Sequence, residues 1–204
     1  MNIASNEWCG SSTANINRET AETRVAVELN LDGAGTAKID TGIAFFDHML
    51  TLLFRHALID ATIKAVGDIA VDGHHTVEDT GIVIGQALDR ALGDKRGINR
   101  YGSMLLPMEE ALAQIALDFS GRPLLVYRAN FSAARTGDFD VALAREFFRA
   151  LAVCAKMNLH IALLAVDEPH HSLEAIFKGV GRSLRQAVTL DPRETGIPSS
   201  KGML

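Results

Sequence analysis

Residues 72–79 read Asp72-Gly73-His74-His75-Thr76-Val77-Glu78-Asp79, and residues 170–174 read His170-His171-Ser172-Leu173-Glu174. Both contain His-His-x-x-Glu. On a helix each residue is turned by about 100° from the last, so the two adjacent histidines diverge and the glutamate lies in azimuth between them. Imidazoles set that way do not easily share one ion. Each is better placed to reach a different one, and Glu78, at i+4 from His74 and i+3 from His75, can assist one of them. A single copy reads as well as a solvated helix start with an acid near the positive helix end. The second copy, its glutamate 96 residues after the first, makes the motif part of a repeat.

The surroundings of the two copies repeat as well. Val25, Val27, Leu29 and Leu31 alternate with polar residues as in a half-buried strand, and Asp32-Gly33-Ala34-Gly35 turns the chain toward a partner at Ala37 and Ile39. Ile43, Phe46, Met49, Leu50, Leu53 and Phe54 form the stripe of an amphipathic helix, Ile59 to Val66 a strand, and His74 opens a helix that Gly93 closes. In the second half, Ile115 to Gly121 matches the first strand and its glycine turn, and Leu124 to Ala129 is a further strand. Phe147, Phe148, Leu151, Val153 and Cys154 mark a helix, and Leu159 to Val166 another strand. Asp167-Glu168-Pro169 then starts a last helix with an acidic cap and a first-turn proline. The expected class is α+β, an internal duplication of two half-domains whose helices pack between two sheets. Residues 1–17, polar and aperiodic, read as a disordered extension. Residues 18–95 form the first half, and residues 96–204 the second, with a C-terminal phosphate-binding tail.

The 204 residues, 48% of them apolar, can bury a sizeable core. Twenty basic against twenty-five acidic residues give a net charge of −5 with no basic block, which argues against nucleic acid as a partner. Apolar runs such as Ile161 to Val166 are too short to span a bilayer, and the N-terminus lacks a signal pattern, so no membrane partner and a cytoplasmic location are expected. Cys9 and Cys154 lack metal-motif spacing, and Cys154 is expected to be buried and unpaired.

His48, in Asp47-His48-Met49-Leu50, and His160, in Leu159-His160-Ile161, each read alone as core histidines. Counted with the motifs they bring the supply to six imidazoles and two carboxylates, three His and one Glu for each of two ions, with positions left open for substrate. Nitrogen and oxygen donors without thiolate suit manganese, zinc, iron or nickel. Arg100, Arg122 and the stretch Ser199-Ser200-Lys201-Gly202 suit a phosphate group through charge-assisted and backbone N–H contacts. His56 reads as structural.

From Arg18 onward the chain resembles the imidazoleglycerol-phosphate dehydratase family. The blocks that carry the resemblance are Leu29 to Gly33, Thr41 to Leu50, Asp72 to Gly81, Ala91 to Asp94, Asp118 to Pro123, His170 to Lys178 and Pro198 to Gly202. The resemblance implies a four-stranded sheet with two helices in each half. It implies two Mn2+ per active site, held by His48, His74, His75, Glu78, His160, His170, His171 and Glu174. It further implies Glu22 and Glu174 as catalytic acid/base groups, Arg100, Arg122, Lys178, Ser199, Ser200 and Lys201 as substrate or phosphate contacts, and a 24-subunit assembly with active sites between subunits. Ser200 stands where threonine is usual, and Glu168-Pro169 before the second motif is atypical. The implied reaction is dehydration of D-erythro-imidazole glycerol phosphate to imidazole acetol phosphate in histidine biosynthesis. The proton to be lost has no neighbouring carbonyl, so the ring, as an imidazolate held between two ions, must supply the electrons. A di-metal phosphate-ester hydrolase is the competing reading, and a non-catalytic metal-binding scaffold a third.

Overall fold

The computed structural model describes residues 12–204, and the expectations for Trp8 and Cys9 lie outside them. The first half runs β1 (Thr13–Glu19), β2 (Thr23–Asn30), β3 (Ala37–Asp40), α1 (Ala44–Ala57), β4 (Asp60–Gly67) and α2 (His74–Leu92). The second runs β5 (Tyr101–Met108), β6 (Ala111–Asp118), β7 (Leu124–Arg128), the short pair β8 (Arg135–Thr136) and β9 (Phe139–Asp140), α3 (Ala142–Cys154), β10 (Asn158–Ala165) and α4 (Pro169–Val188).

The duplication is explicit in the sheets. The first has the order β1-β2-β4-β3 and the second β5-β6-β10-β7. In each, the third strand of the half pairs parallel with the fourth across a helical crossover, and the other pairings are antiparallel. The halves differ in one connection: β3 leads almost directly into α1, whereas the segment from β7 to α3 carries the β8–β9 hairpin.

Besides the short β8–β9 pair, two strands of the main sheets were not legible from periodicity. β1 begins at Thr13, inside the stretch expected to be a disordered extension, and that boundary is corrected here. Its inward positions are Ala14, Ile16 and Arg18, the last paired with Asp79 at 2.5 Å, so the apolar face is too thin to show as an alternation. β5 carries Leu105 and Pro107 on its exposed face, which blurs the alternation, and Pro107, with no N–H to donate, is tolerated because β5 is an edge.

Val25, Val27 and Leu29 of β2, and Ala113, Ile115 and Leu117 of β6, turn inward onto a shared helical layer. α1 and α2 lie on the first sheet, α3 and α4 on the second, and α2 packs on α3 while α1 packs on α4. Phe46 of α1, Phe147 and Phe148 of α3 and Phe177 of α4 meet with ring centroids 4.7 to 5.5 Å apart, so the aromatic core joins the halves. No helix among the described residues is long and apolar enough to cross a membrane. Cys154 is half-buried on α3, and burial pushes its thiol up.

Both cross-half helix pairs approach through glycine at matching positions. A Cβ on Gly85 of α2 would lie 2.8 Å from the Leu151 carbonyl oxygen of α3, and one on Gly181 of α4 would lie 2.3 Å from the Leu53 carbonyl oxygen of α1. Alanine at either place gains up to about 1 kcal/mol of helix propensity but overpacks a backbone that cannot yield. Gly181→Ala is expected to destabilise the protein by about 1–3 kcal/mol despite its better propensity. Chemical denaturation checks this; an unchanged or raised midpoint would show that the helices can separate at no cost.

Candidate metal centre

The two motifs form the first turns of α2 and α4. Asp72 accepts from His74 N–H at 2.7 Å, and Glu168 caps α4 by accepting from His171 N–H at 2.8 Å, with Pro169 in the first turn. The unusual Glu168-Pro169 pair is thus a regular helix start. Within each motif the rings diverge as their spacing requires: centroids are 6.0 Å apart at 89° for His74 and His75, and 6.1 Å at 76° for His170 and His171.

At α4 the donors converge. His48 of α1 and His170 place their Nε2 atoms 3.1 and 3.3 Å from the same Oε1 of Glu174, and the three ligand atoms lie within 4.8 Å of one another. Two imidazole nitrogens and a carboxylate oxygen without thiolate fit manganese, zinc, iron or nickel. Glu174 is only 8% exposed, which an ionised carboxylate tolerates only when paired. Burial pushes its carboxyl up, but bonds from Lys178, His48 and His170 prevail and hold it below the usual range. Lys178 Nζ donates to the other carboxylate oxygen.

At α2 the arrangement is looser. His74 Nε2 lies 3.5 Å from Glu78 Oε2, while Arg149 of α3 donates to Glu78 Oε1 at 2.6 Å and to Glu146 at 2.9 Å. The outer histidine of each motif is steered by a carboxylate. His75 Nδ1 lies 3.0 Å from Asp68 and 3.8 Å from Glu22, and His171 Nδ1 lies 3.0 Å from Glu110. An ionised carboxylate only accepts, so each Nδ1 carries its hydrogen and each Nε2 is left to bind elsewhere. The bond to Asp68 holds His75 above the ordinary histidine range, and the bond to Glu110 does the same for His171.

Asp68, Glu110, Glu146 and Arg149 went unnoticed in the sequence. The internal repeat held the signal for two of them. Glu110 sits in the β5–β6 turn where Glu22 sits in the β1–β2 turn, and Glu146 is the fifth residue of α3 as His48 is of α1.

Other expected residues lie apart. His160 is on the outer face of the second sheet, because Leu159 and Ile161 take the inward positions of β10. It lines a cavity of about 330 Å³ with Gln114, Ala116, Val126 and Arg128, and within one chain it does not join the other donors. Arg100, Arg122 and the tail gather at the Asp118 end of β6, whereas Glu110 and the second motif mark its start, roughly 20 Å away at about 3.3 Å per residue. Arg100 grips Asp118 with two bonds of 2.6 and 3.1 Å and donates to the Pro198 carbonyl at 2.8 Å, which ties the tail to the sheet. The tail also passes against Gly121, where a Cβ would meet Leu204 at 2.4 Å. Arg122 is exposed, and in the tail Ser199 Oγ accepts from Lys201 N–H at 3.2 Å. Ser200 lies in the same turn.

Cavity size alone does not locate the chemistry. A cavity of about 860 Å³ beside β1, β2 and β4 has no histidine in its wall, whereas a smaller one of about 610 Å³ is walled by Phe45, Ile69, Phe139 and Leu143 and touches both Gly73 and His170. The smaller borders both motifs.

Comparison with known proteins points to one family. The family model for imidazoleglycerol-phosphate dehydratase matches residues 41–184, which include both motifs. The chain is 55% identical over 193 residues to the imidazoleglycerol-phosphate dehydratase of Methylorubrum populi, covering 94% of this chain and 99% of that one. To that of Azorhizobium caulinodans it is 56% identical over 192 residues, covering 94% and 98%. Its fold is similar to the crystal structure of the Staphylococcus aureus imidazoleglycerol-phosphate dehydratase, with a TM-score of 0.80 at 39% identity over 88% of this chain and 99% of that one. The Pyrococcus furiosus structure in complex with (S)-C348 gives 0.81 at 33% identity over 93% and 100%. With both motifs inside the matched model and relatives aligned almost end to end, the chain belongs to the imidazoleglycerol-phosphate dehydratase family, hydro-lyases of histidine biosynthesis.

Proposed function

We propose that this chain dehydrates D-erythro-imidazole glycerol phosphate to imidazole acetol phosphate through an imidazolate held between two Mn2+ ions, in a cytoplasmic 24-subunit assembly whose sites form between copies. The observation that carries the reading is the convergence of His48 and His170 on one oxygen of buried Glu174, within a motif that occurs twice. When bound, the ions supply the positive charge that lets the ring carry the electrons needed to expel a hydroxyl. His48, His170 and Glu174 would hold one ion, and His74 with Glu78 part of the other shell. With Nδ1 of His75 and of His171 taken by a carboxylate, the Nε2 of each is left to bind an ion, and His160, exposed on the outer sheet face, is available to another copy.

Glu22 sits in the exposed β1–β2 turn, close enough to His75 to deliver or take a proton at a ring held there. Glu174 is the second group assigned to proton movement, with Lys178 at hand to balance its charge. Loss of the C–H proton and the hydroxyl as water leaves an enol, which tautomerises to the ketone. Arg100, Arg122, Ser199, Ser200 and Lys201 are assigned to the phosphate. Their position at the far end of the second sheet from the metal donors supports a site completed by a neighbouring copy. Membership of a hydro-lyase family argues against the competing reading, a di-metal phosphate-ester hydrolase.

Incubating manganese-loaded protein with imidazole glycerol phosphate separates the two. An enolisable ketone without free phosphate is expected, and chelator or His48→Ala should abolish it; release of inorganic phosphate in its place would establish the hydrolase. Glu110→Ala should lower metal affinity by about 10- to 100-fold, because His171 loses the acceptor that sets its tautomer; equilibrium dialysis measures it, and wild-type binding would leave Glu110 without a role. Lys201→Ala or Arg122→Ala should raise KM about tenfold or more, with kcat changed less, as each removes a charge-assisted contact to phosphate. Steady-state kinetics with KM unaltered would move the phosphate elsewhere.

A further inference from the structure

The two motif sites differ in what the opposing helix presents. Across from His170 and Glu174, α1 offers His48. Across from His74 and Glu78, the matching place on α3 is Glu146, and one turn on stands Arg149. Its guanidinium bonds Glu78 Oε1 at 2.6 Å and Glu146 Oε2 at 2.9 Å, so a single positive charge already bridges two carboxylates beside His74.

We propose that Arg149 is a resident cation of the first motif, which a metal ion must displace, so that the two metal positions of one chain load in order, the His48–His170–Glu174 position first. This inference rests on the two-ion reading given above. A guanidinium does not deprotonate to make way, so it has to move bodily. Arg149 is half exposed and long, and can swing into solvent without disturbing the core; what it forfeits is its two charge-assisted bonds. Both glutamates keep one oxygen toward an imidazole, Glu78 Oε2 facing His74 at 3.5 Å, but Arg149 also holds Glu146, which stands in the place of His48, whereas among the described residues Lys178 pairs with Glu174 alone. Lys178 occupies Glu174 Oε2 and leaves Oε1 to the two imidazoles, so an ion can enter on the imidazole side while the ammonium stays in place. No cation has to depart there. The second position is also better organised before binding, since its three donors already lie within 4.8 Å.

The test is a Mn2+ titration of the assembled, metal-stripped full chain, with free Mn2+ followed by its electron paramagnetic resonance signal. Wild type should show two classes of site. Arg149→Gln should tighten the weaker class about tenfold, the change expected when one charge-assisted competitor is removed, and leave the tighter class unchanged. Arg149→Lys, which keeps the charge, should stay near wild type in the weaker class. His48→Ala should remove the tighter class and leave the weaker. If Arg149 merely holds Glu78 in place, Arg149→Gln would instead weaken the weaker class, and that result, or no change in either class, overturns the proposal. Uptake of one ion per chain at saturation would overturn the two-ion reading beneath it as well, whereas uptake of two ions with Arg149→Gln inert would overturn this inference alone.

Discussion

Each half of this molecule packs a motif helix, backbone against backbone, on a helix of the other half, and the site depends on that contact. Gly181 lets α4 sit on the carbonyl of Leu53 in α1, and Gly85 does the same for α2 on α3. The first approach brings His48, from the first half, onto His170 and Glu174 of the second. A side chain in place of either hydrogen would push the helices apart, and a shift of about 1 Å is enough to spoil a coordination shell. The aromatic cluster of Phe46, Phe147, Phe148 and Phe177 closes the same layer from the middle, so core packing and donor placement are parts of one arrangement.

Around that contact the electrostatics are settled by pairing. Glu174 is buried and stays ionised because two imidazoles and an ammonium face it, at a cost in desolvation that those bonds exceed. Asp68 and Glu110 each fix one outer histidine through Nδ1, which decides which ring nitrogen is free to bind. These two carboxylates come from different places in their halves, one after β4 and the other in the β5–β6 turn. The duplicated framework therefore reaches the same orientation by two local solutions. Symmetry is broken further by the β8–β9 hairpin, whose Phe139 packs at a tilt on Phe45 beside His170 and which has no counterpart in the first half.

The repeat of His-His-x-x-Glu, the divergence of its paired histidines, the duplicated order of elements and the apolar stripes of the helices could all be read from residue spacing, because helical and strand periods are local properties of the chain. So could the family, whose blocks are contiguous. The edge strands β1 and β5 escaped that reading, since an edge needs only a thin apolar face and Ala14, Ile16 and Gly102 barely mark one. Which donors meet was decided only in three dimensions. His48 and His160 look alike in sequence, each a histidine among apolar neighbours, yet one lies on a helix that crosses the second motif and the other on the outward face of a strand. Arg149 and Glu110 carried no signal in their own neighbourhoods, because a pairing across 71 or 61 residues follows from how helices and turns pack, and although Asp68 lies only seven residues before His75, the composition of the loop does not say that its side chain turns back onto that ring.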